Sequence, residues 1–268
     1  MAFEFCLNTS TIRPQTLLDK IRLTADAGYA GIELWVTDIY EHIGRGGEVS
    51  DIEKALSDYG LFVPCMIAVR GWAEASEFEY RHQLDECKRR FELAARLRSP
   101  YIVCSPAYEP CDTGQVTRRY RDLLQLGREA GVRPTFEYIS FFKTCNSLGE
   151  AWQVVQDVDE PDATLIVDAF HSWNTNSPLE LLRTIPGDRI SHYHIDDAAP
   201  GIPPTQQLDP DRVMVGDGVI DLKAEIDVLR AIGYQGRVSL ELFNPQLWEM
   251  DPAEVLKLGM ERLTQLFS

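Results

Sequence analysis

The strongest constraint on the fold is a repeated alternation: short β-branched or aromatic runs, each followed by a longer amphipathic run, from end to end without a Pro-, Gly- or Ser-rich linker. Eight such pairs can be read. The strand candidates are Phe3–Asn8, Gly31–Trp35, Phe62–Ala68, Tyr101–Ser105, Arg133–Tyr138, Thr164–Asp168, Arg189–His194 and Arg237–Leu242. The helical runs are Leu17–Ala27, Ile52–Tyr59, Phe78–Leu97, Val116–Ala130, Ala151–Val158, Leu179–Thr184, Leu222–Ile232 and Ala253–Leu266. In "DAGYAGIEL", "DYGLFVP", "EAGVRPTFE" and "AIGYQGRVSLE" a glycine separates helix from strand, where it tolerates the left-handed backbone that closes a helix. Parallel crossovers are right-handed and both sheet faces need cover, so eight βα units most economically close on themselves. The expected fold class is α/β, a single (β/α)8 barrel domain over residues 1–268. An open doubly wound sheet would carry a Gly-rich phosphate turn after its first strand, and "LNTSTIRP" has none.

Composition narrows the function. The chain is 44% hydrophobic and 25% charged, as ordinary soluble domains are, and it contains no apolar run long enough to span a membrane. Its first residues read as a strand rather than a signal peptide, which makes a cytoplasmic location the expectation. A net charge of −16 repels nucleic-acid phosphates, so nucleic acid is not an expected partner. The six cysteines form no C-x-x-C pair and are read as reduced thiols.

In a barrel, alternate strand residues face the interior. That rule sends Thr135 and Glu137 inward, then Thr164, Ile166 and Asp168, then Ile190, His192 and His194, and finally Arg237, Ser239 and Glu241. Ser191, Tyr193 and Ile195 fall on the outer face. Four strands thus end in an inward ligand-capable side chain, Glu137, Asp168, His194 and Glu241, at the mouth where barrel active sites are built. Three carboxylates buried together cost several kcal/mol or more unless a cation neutralises them. One divalent metal ion on three oxygens and one imidazole nitrogen resolves the conflict.

His192 lies one layer deeper and is expected to be a buried partner of His194. Asp196 and Asp197, beyond the strand, are candidates for orienting a ligand, touching substrate or capping a loop. His171, three residues after Asp168, can reach over the mouth. Asn8, Glu33 and Trp35 close the first two strands in phase, and Asn8 and Glu33 suit a pocket for hydroxyl groups, with Trp72 as an apolar wall. "GDGVIDL" lacks both a dinucleotide fingerprint and a P-loop lysine, and reads as a tight turn into a helix capped by Asp221.

These residues resemble the xylose-isomerase-like TIM barrels, a group of sugar isomerases, ketose 3-epimerases, inosose isomerases and dehydratases, and apurinic-site endonucleases. The resemblance covers nearly the whole chain and is carried by "TFEY", "LIVDAFHSW", "HYHIDDA" and "GYQGRVSLELFNPQLW". The combination "YHIDDA…DPDRVMVGDGVIDL…VSLELFNPQLW", with the early "CLNTST", is most similar to the inosose (2-keto-myo-inositol) isomerases. By position the resemblance implies metal ligands Glu137, Asp168, His194 and Glu241, with His171 in a D-x-x-H motif and Arg212 near the substrate. "YISFFKTCNS" departs from the inosose isomerases in its bulk, through Phe141, Phe142 and Lys143. The endonuclease branch uses further histidines at the third and fourth strand ends, but here those ends read "CMIAVR" and "VCSPAY".

The resemblance implies an isomerase or epimerase of inositol-type carbohydrate metabolism. Its substrate would be a non-phosphorylated keto sugar or keto-cyclitol, with inosose leading, and the proton would move through a metal-stabilised enediolate. Glu137 and Glu241 would be base and acid, and His171 or Lys143 would shuttle the hydroxyl proton. The ion would be Mn²⁺, Zn²⁺, Co²⁺ or Mg²⁺. A dehydratase on the same site is the main alternative, a non-catalytic sugar-binding barrel a third, and a homo-oligomer is compatible with any of them.

Overall fold

The computed structural model describes residues 3–268. Eight parallel strands close into a barrel: β1 (Glu4–Asn8), β2 (Gly31–Trp35), β3 (Met66–Val69), β4 (Tyr101–Cys104), β5 (Arg133–Phe136), β6 (Thr164–Asp168), β7 (Ile190–Ile195) and β10 (Arg237–Leu240), β10 pairing with both β7 and β1. Between β7 and β10, β8 (Asp197–Ala198) and β9 (Arg212–Val213) form a small antiparallel ribbon over the mouth.

Each expected strand and helical run has its counterpart within a few residues. The helices gain their capping turns: Ser76 and Asp112 accept the N–H groups of Glu79 and Gln115 and open helices Glu77–Arg96 and Thr113–Ala130. Gly60 and Gly131 close helices at φ +69 and +73, a conformation an L side chain resists. The expected strand from Phe62 pairs continuously only from Met66; Phe62 itself makes an isolated bridge to Gly31. Three short helices escape the sequence pattern, Val36–Gly44, Ala169–Asn174 and Pro245–Trp248, the first and second directly after their strands and the third four residues beyond β10. Among the described residues no helix is long and apolar enough to cross a membrane.

Alternation along the strands divides the interior. Leu7, Ile32, Leu34, Val167, Tyr193, Val238 and Leu240 face the helices and belong to the large outer core. Inside the barrel a small apolar plug of Cys65, Ile67, Ala68, Val103 and Ile166 fills one side. Truncating Ile166 to alanine there would cost roughly 2–5 kcal/mol. The other side of the interior is polar and leads to the site. Alternation fails where the register shifts: between Met66 and Val69 the β3–β4 pairing is irregular and the adjacent Ile67 and Ala68 both join the inner plug, and between Leu165 and Ile166 the β6–β7 pairing shifts and Ser191, assigned to the outer face, stands 2.5 Å from Thr135 Oγ1 instead.

Candidate metal centre and its cavity

Glu137, Asp168, His194 and Glu241 converge, each offering one ligand atom within 4.8 Å of the others, and all four are buried. Register explains the convergence: Asp168 pairs with His194, His194 with Ser239, and Glu137 and Glu241 follow β5 and β10 by one residue. His194 Nδ1 lies 3.0 Å from Glu137 Oε1, 3.2 Å from Glu241 Oε2 and 3.9 Å from Asp168 Oδ2.

The donor set fits a divalent cation. His194 is wholly buried, and its Nδ1 has no hydrogen-bond partner even though carboxylates surround it. Its Nε2 stands 3.2 Å from Glu33 Oε1, which can only accept, so the proton belongs on Nε2 and the Nδ1 lone pair faces the three carboxylates. Metal bonds of about 2.0–2.2 Å allow donors up to about 4.4 Å apart, so small adjustments of the cluster suffice. Without a cation the cluster is frustrated. Burial opposes charging His194, but Glu241 and Glu33 outweigh it and push its imidazole well up. Burial lifts Glu241 to about 7.

A second layer holds the first. Glu33 accepts from Ser239 Oγ at 2.7 Å and Asn8 Nδ2 at 3.2 Å. Burial works against its charge, yet His194 and His192 hold it down at about 2. Asn8 Nδ2 also donates to Glu241 Oε1 at 2.7 Å, and Trp35 Nε1 donates to Asn8 Oδ1 at 2.8 Å. His192 lies beneath with Nε2 3.4 Å from Glu33, and burial lowers its pKa to about 4, so it is neutral at pH 7.

Arg212 ties the far side together. Its Nη1 donates to Asp168 Oδ2 at 2.9 Å, to Glu241 Oε2 at 3.3 Å and to Asp196 Oδ2, and its Nε and Nη2 reach Asp209 Oδ1 at 3.2 and 3.1 Å. Its guanidinium lies 4.8 Å over Phe170 and 5.3 Å from Phe243. Despite burial, Arg212 keeps Asp168 ionised, well below the usual carboxylate range. Arg212 Nη2 also stands 3.1 Å from His171 Nε2. Arginine can only donate, so that nitrogen accepts; at the other ring nitrogen Ser140 brings its backbone N–H to 3.4 Å and its Oγ to 3.0 Å of Nδ1. Burial lowers the His171 pKa and agrees with a neutral ring.

A cavity of about 370 Å³ opens over the cluster, bordered by Glu137, Glu241, His171 and Arg212 among the expected residues. Asp168 and His194 are the floor, fully buried. Several expected substrate residues are placed elsewhere. Asn8 and Glu33 are wholly buried beneath the cluster and do not border the cavity; they hydrogen-bond each other, and Asn8 reaches Glu241 and Glu33 reaches His194. Trp72 packs against Tyr120 and Phe136 in the outer core, because it follows β3 on the helix side. Lys143 points to solvent in an ion pair with Glu109 at 2.6 Å; its neighbours Phe141 and Phe142 face the cavity instead. His171 borders the cavity with its lone pair engaged by Arg212, which does not suit a proton shuttle. The sequence reading did not single out Arg13, Arg70, Asp209, Phe243 and Trp248, which also border it. Their usable signal was position: Arg13, Arg70 and Phe243 follow the ends of β1, β3 and β10 within a few residues.

Asp197 settles its own ambiguity. Its carboxylate accepts the backbone N–H groups of Ala198, Gly216, Gly218 and Ile220 at 2.9–3.1 Å. A Cβ on Gly218 would stand 2.2 Å from Asp197 Oδ1, so only glycine permits this approach. Loops after the seventh strand commonly cradle phosphate in barrels; here an internal carboxylate fills the amide nest. Asp221 caps helix Leu222–Ala231 through Ala224 N–H, as expected of "GDGVIDL".

Comparison with known proteins agrees with this architecture. An inosose isomerase of Bacillus velezensis is 26% identical across 96% of this chain and 95% of its own length. A 3-dehydroshikimate dehydratase of Pseudomonas putida is 26% identical across 85% of this chain, which spans only 36% of that enzyme. A crystal structure of the IolI protein with a binding zinc atom superposes with a TM-score of 0.91 at 24% identity, covering 99% of this chain and 98% of that one. The family profile described as xylose isomerase-like TIM barrel matches residues 21–266. With the closed barrel and this length of match, the chain belongs to the xylose isomerase-like TIM barrel family.

Proposed function

We propose that this chain, acting as one domain over residues 1–268, is a divalent-metal-dependent isomerase or epimerase of a non-phosphorylated keto sugar or keto-cyclitol, with inosose the leading substrate. The observation that carries the reading is the arrangement of the cluster: Glu137 and Glu241 reach the cavity from strands on either side of the buried Asp168 and His194. The ion would sit on Glu137, Asp168, His194 and Glu241, with Mn²⁺, Zn²⁺, Co²⁺ or Mg²⁺ suited to the donors. The zinc of the IolI structure supports a transition-type ion. When bound, the ion would supply Lewis acidity, making the hydrogen next to the substrate ketone more acidic.

The protein's own groups then move the proton. Glu137 takes the α-hydrogen from one face, and Glu241 delivers a proton to the neighbouring carbon or the opposite face. Asn8 fixes Glu241 through its Oε1, and Arg212, aligned by His171, holds Asp168 and Glu241. A cavity of about 370 Å³ lies at the small end of the ~300–1,000 Å³ range of ligand sites, which suits a small metabolite. Trp35, Phe141, Phe243 and Trp248 line the cavity and supply apolar surface for the C–H side of a ring. The filled amide nest at Asp197 supports a substrate without phosphate. Such a metabolite substrate suits a cytoplasmic enzyme.

The test is incubation with Mn²⁺ in D₂O and a panel of inososes and ketohexoses, following deuterium uptake and product mass. Uptake with no other mass change is expected; no uptake from any panel member would overturn the reading. The dehydratase relative favours a second outcome, β-elimination of a hydroxyl from the same deprotonated substrate, which would register as loss of water.

A further inference from the structure

Two indoles border the cavity, and they differ in where their N–H groups go. Both rings are half-buried and each has an arginine guanidinium over it, Arg70 at 5.3 Å from the ring centre of Trp35 and Arg13 at 5.9 Å from that of Trp248. Trp248 Nε1 donates to the backbone oxygen of Ser10 at 2.9 Å, in the turn after β1. Trp35 Nε1 turns inward and donates at 2.8 Å to Oδ1 of Asn8, a side chain that is wholly buried and does not border the cavity. A wall for a substrate needs only an apolar ring; an N–H aimed through that wall at a buried amide does a second job.

The Asn8 amide has no hydrogen-bonding position to spare. Its Oδ1 accepts from Trp35 Nε1 and from the Ser10 backbone N–H at 3.0 Å, and its Nδ2 donates to Glu241 Oε1 at 2.7 Å and to Glu33 Oε2 at 3.2 Å. The two groups on Oδ1 can only donate, and ionised carboxylates can only accept, so the amide has a single orientation. Turned over, it would set its oxygen against two carboxylates and its NH₂ against two N–H groups. The carboxylate of Glu241 is divided by this contact. Oε1 is tied to Asn8, and Oε2 is the oxygen that stands 3.2 Å from His194 Nδ1 inside the four-residue cluster. Trp35 and Glu241 therefore lie on opposite ends of one amide, the first in the cavity wall and the second at the cluster.

We infer that Trp35 is a positioning residue for Glu241, acting through Asn8: its indole N–H fixes the Asn8 amide, and the amide fixes which oxygen of Glu241 is presented to the ion. This deepens the reading above, because it rests on the cluster as the seat of the ion, but it does not depend on which reaction the ion serves. Trp248 is the matched comparison within the same cavity. Its N–H is spent on a backbone oxygen that also accepts the Arg13 N–H at 3.3 Å, so removing it leaves that oxygen partnered and leaves the Asn8 amide untouched.

The test is competition for Mn²⁺ between a chelating dye and the full chain, which requires no turnover and so stands apart from success or failure of the proposed reaction. The proteins are the parent, Trp35→Phe, Trp248→Phe, Asn8→Ala and the Trp35→Phe/Asn8→Ala double variant, each checked for an intact fold by its melting temperature. Trp35→Phe keeps a ring in the wall and loses only the donor, so about tenfold weaker Mn²⁺ binding is expected, the low end of what outer partners of metal ligands supply. Trp248→Phe should stay within about twofold of the parent, and in the Asn8→Ala background the Trp35 change should add less than about twofold, because the link is already cut. The parent alone supplies a second readout: in protein labelled with ¹⁵N-tryptophan, one equivalent of Zn²⁺ should shift the Nε1–H signal of Trp35 and leave that of Trp248 in place. Parent-like affinity in Trp35→Phe, an equal loss in Trp248→Phe, an undiminished loss in the Asn8→Ala background or an unmoved Trp35 signal overturns the inference. A parent protein that binds no Mn²⁺ overturns the seat of the ion, and this inference with it.

Discussion

His194 Nε2 and Glu33 Oε1 stand 3.2 Å apart beneath the cluster, both wholly buried, and that contact decides which imidazole nitrogen faces the carboxylates. An acidic acceptor behind a ligating imidazole fixes its tautomer and raises its basicity. Glu33→Gln keeps the shape and an acceptor oxygen but removes the charge. We expect Mn²⁺ affinity to fall by about 10–100-fold, measured by competition with a chelating dye. Unchanged affinity would deny Glu33 this role.

Glu137 and His192 should separate chemistry from architecture. Glu137→Gln retains an oxygen towards the cluster but cannot accept the α-hydrogen, so solvent-deuterium exchange should drop by about 10²–10⁴-fold or vanish. His192→Gln, below the cluster, should lower the melting temperature and leave exchange within a few-fold. Full-rate exchange by Glu137→Gln would sink the acid–base assignment.

Removing Arg212 leaves buried Asp168 and Asp196 uncompensated. Arg212→Met should cost about 3–5 kcal/mol of stability, read as a lowered urea midpoint. A midpoint equal to that of the parent would show that these carboxylates are held by other means.

Glu225, outside the four-residue cluster, gives a pH signature of its own. Tyr193 Oη donates to its Oε2 at 2.7 Å. Burial first, then Asp168, Asp221 and Asp197, push its carboxyl up to about 8 against that hydrogen bond. Above its ordinary value of 4.5 the unfolded chain has released this proton while the native state keeps it. Stability is therefore lost as pH climbs from about 4.5 to about 8. Glu225→Gln stays neutral throughout, so its melting-temperature advantage should widen across that window and level off above it. Each kcal/mol amounts to roughly 2–4 °C. An advantage that narrows with rising pH would contradict the account.

The barrel and the cluster were legible because both rest on period-two alternation and on strand order, which place Glu137, Asp168, His194 and Glu241 at one level. What failed was depth and side. Asn8 and Glu33 share the inward phase, yet the level at which β1 meets β10 and β2 meets β1 sets them under the site, a fact of shear that no single strand carries. Trp72 and Lys143 lie beyond strand ends, where alternation no longer says which way a side chain turns. Ser191 changed face because a register shift adds a residue that the pattern cannot announce. Arg13 and Arg70 were missed for the same reason as Trp72: each sits on a loop.

The central claim, that these four residues hold one ion, is tested most directly by metal content. Protein loaded with Mn²⁺, freed of excess and analysed by elemental mass spectrometry should carry one equivalent per chain, and the Asp168→Asn/His194→Gln double variant should carry none while remaining folded by circular dichroism. No bound metal in the parent protein, or an equivalent retained by the folded double variant, would contradict the account.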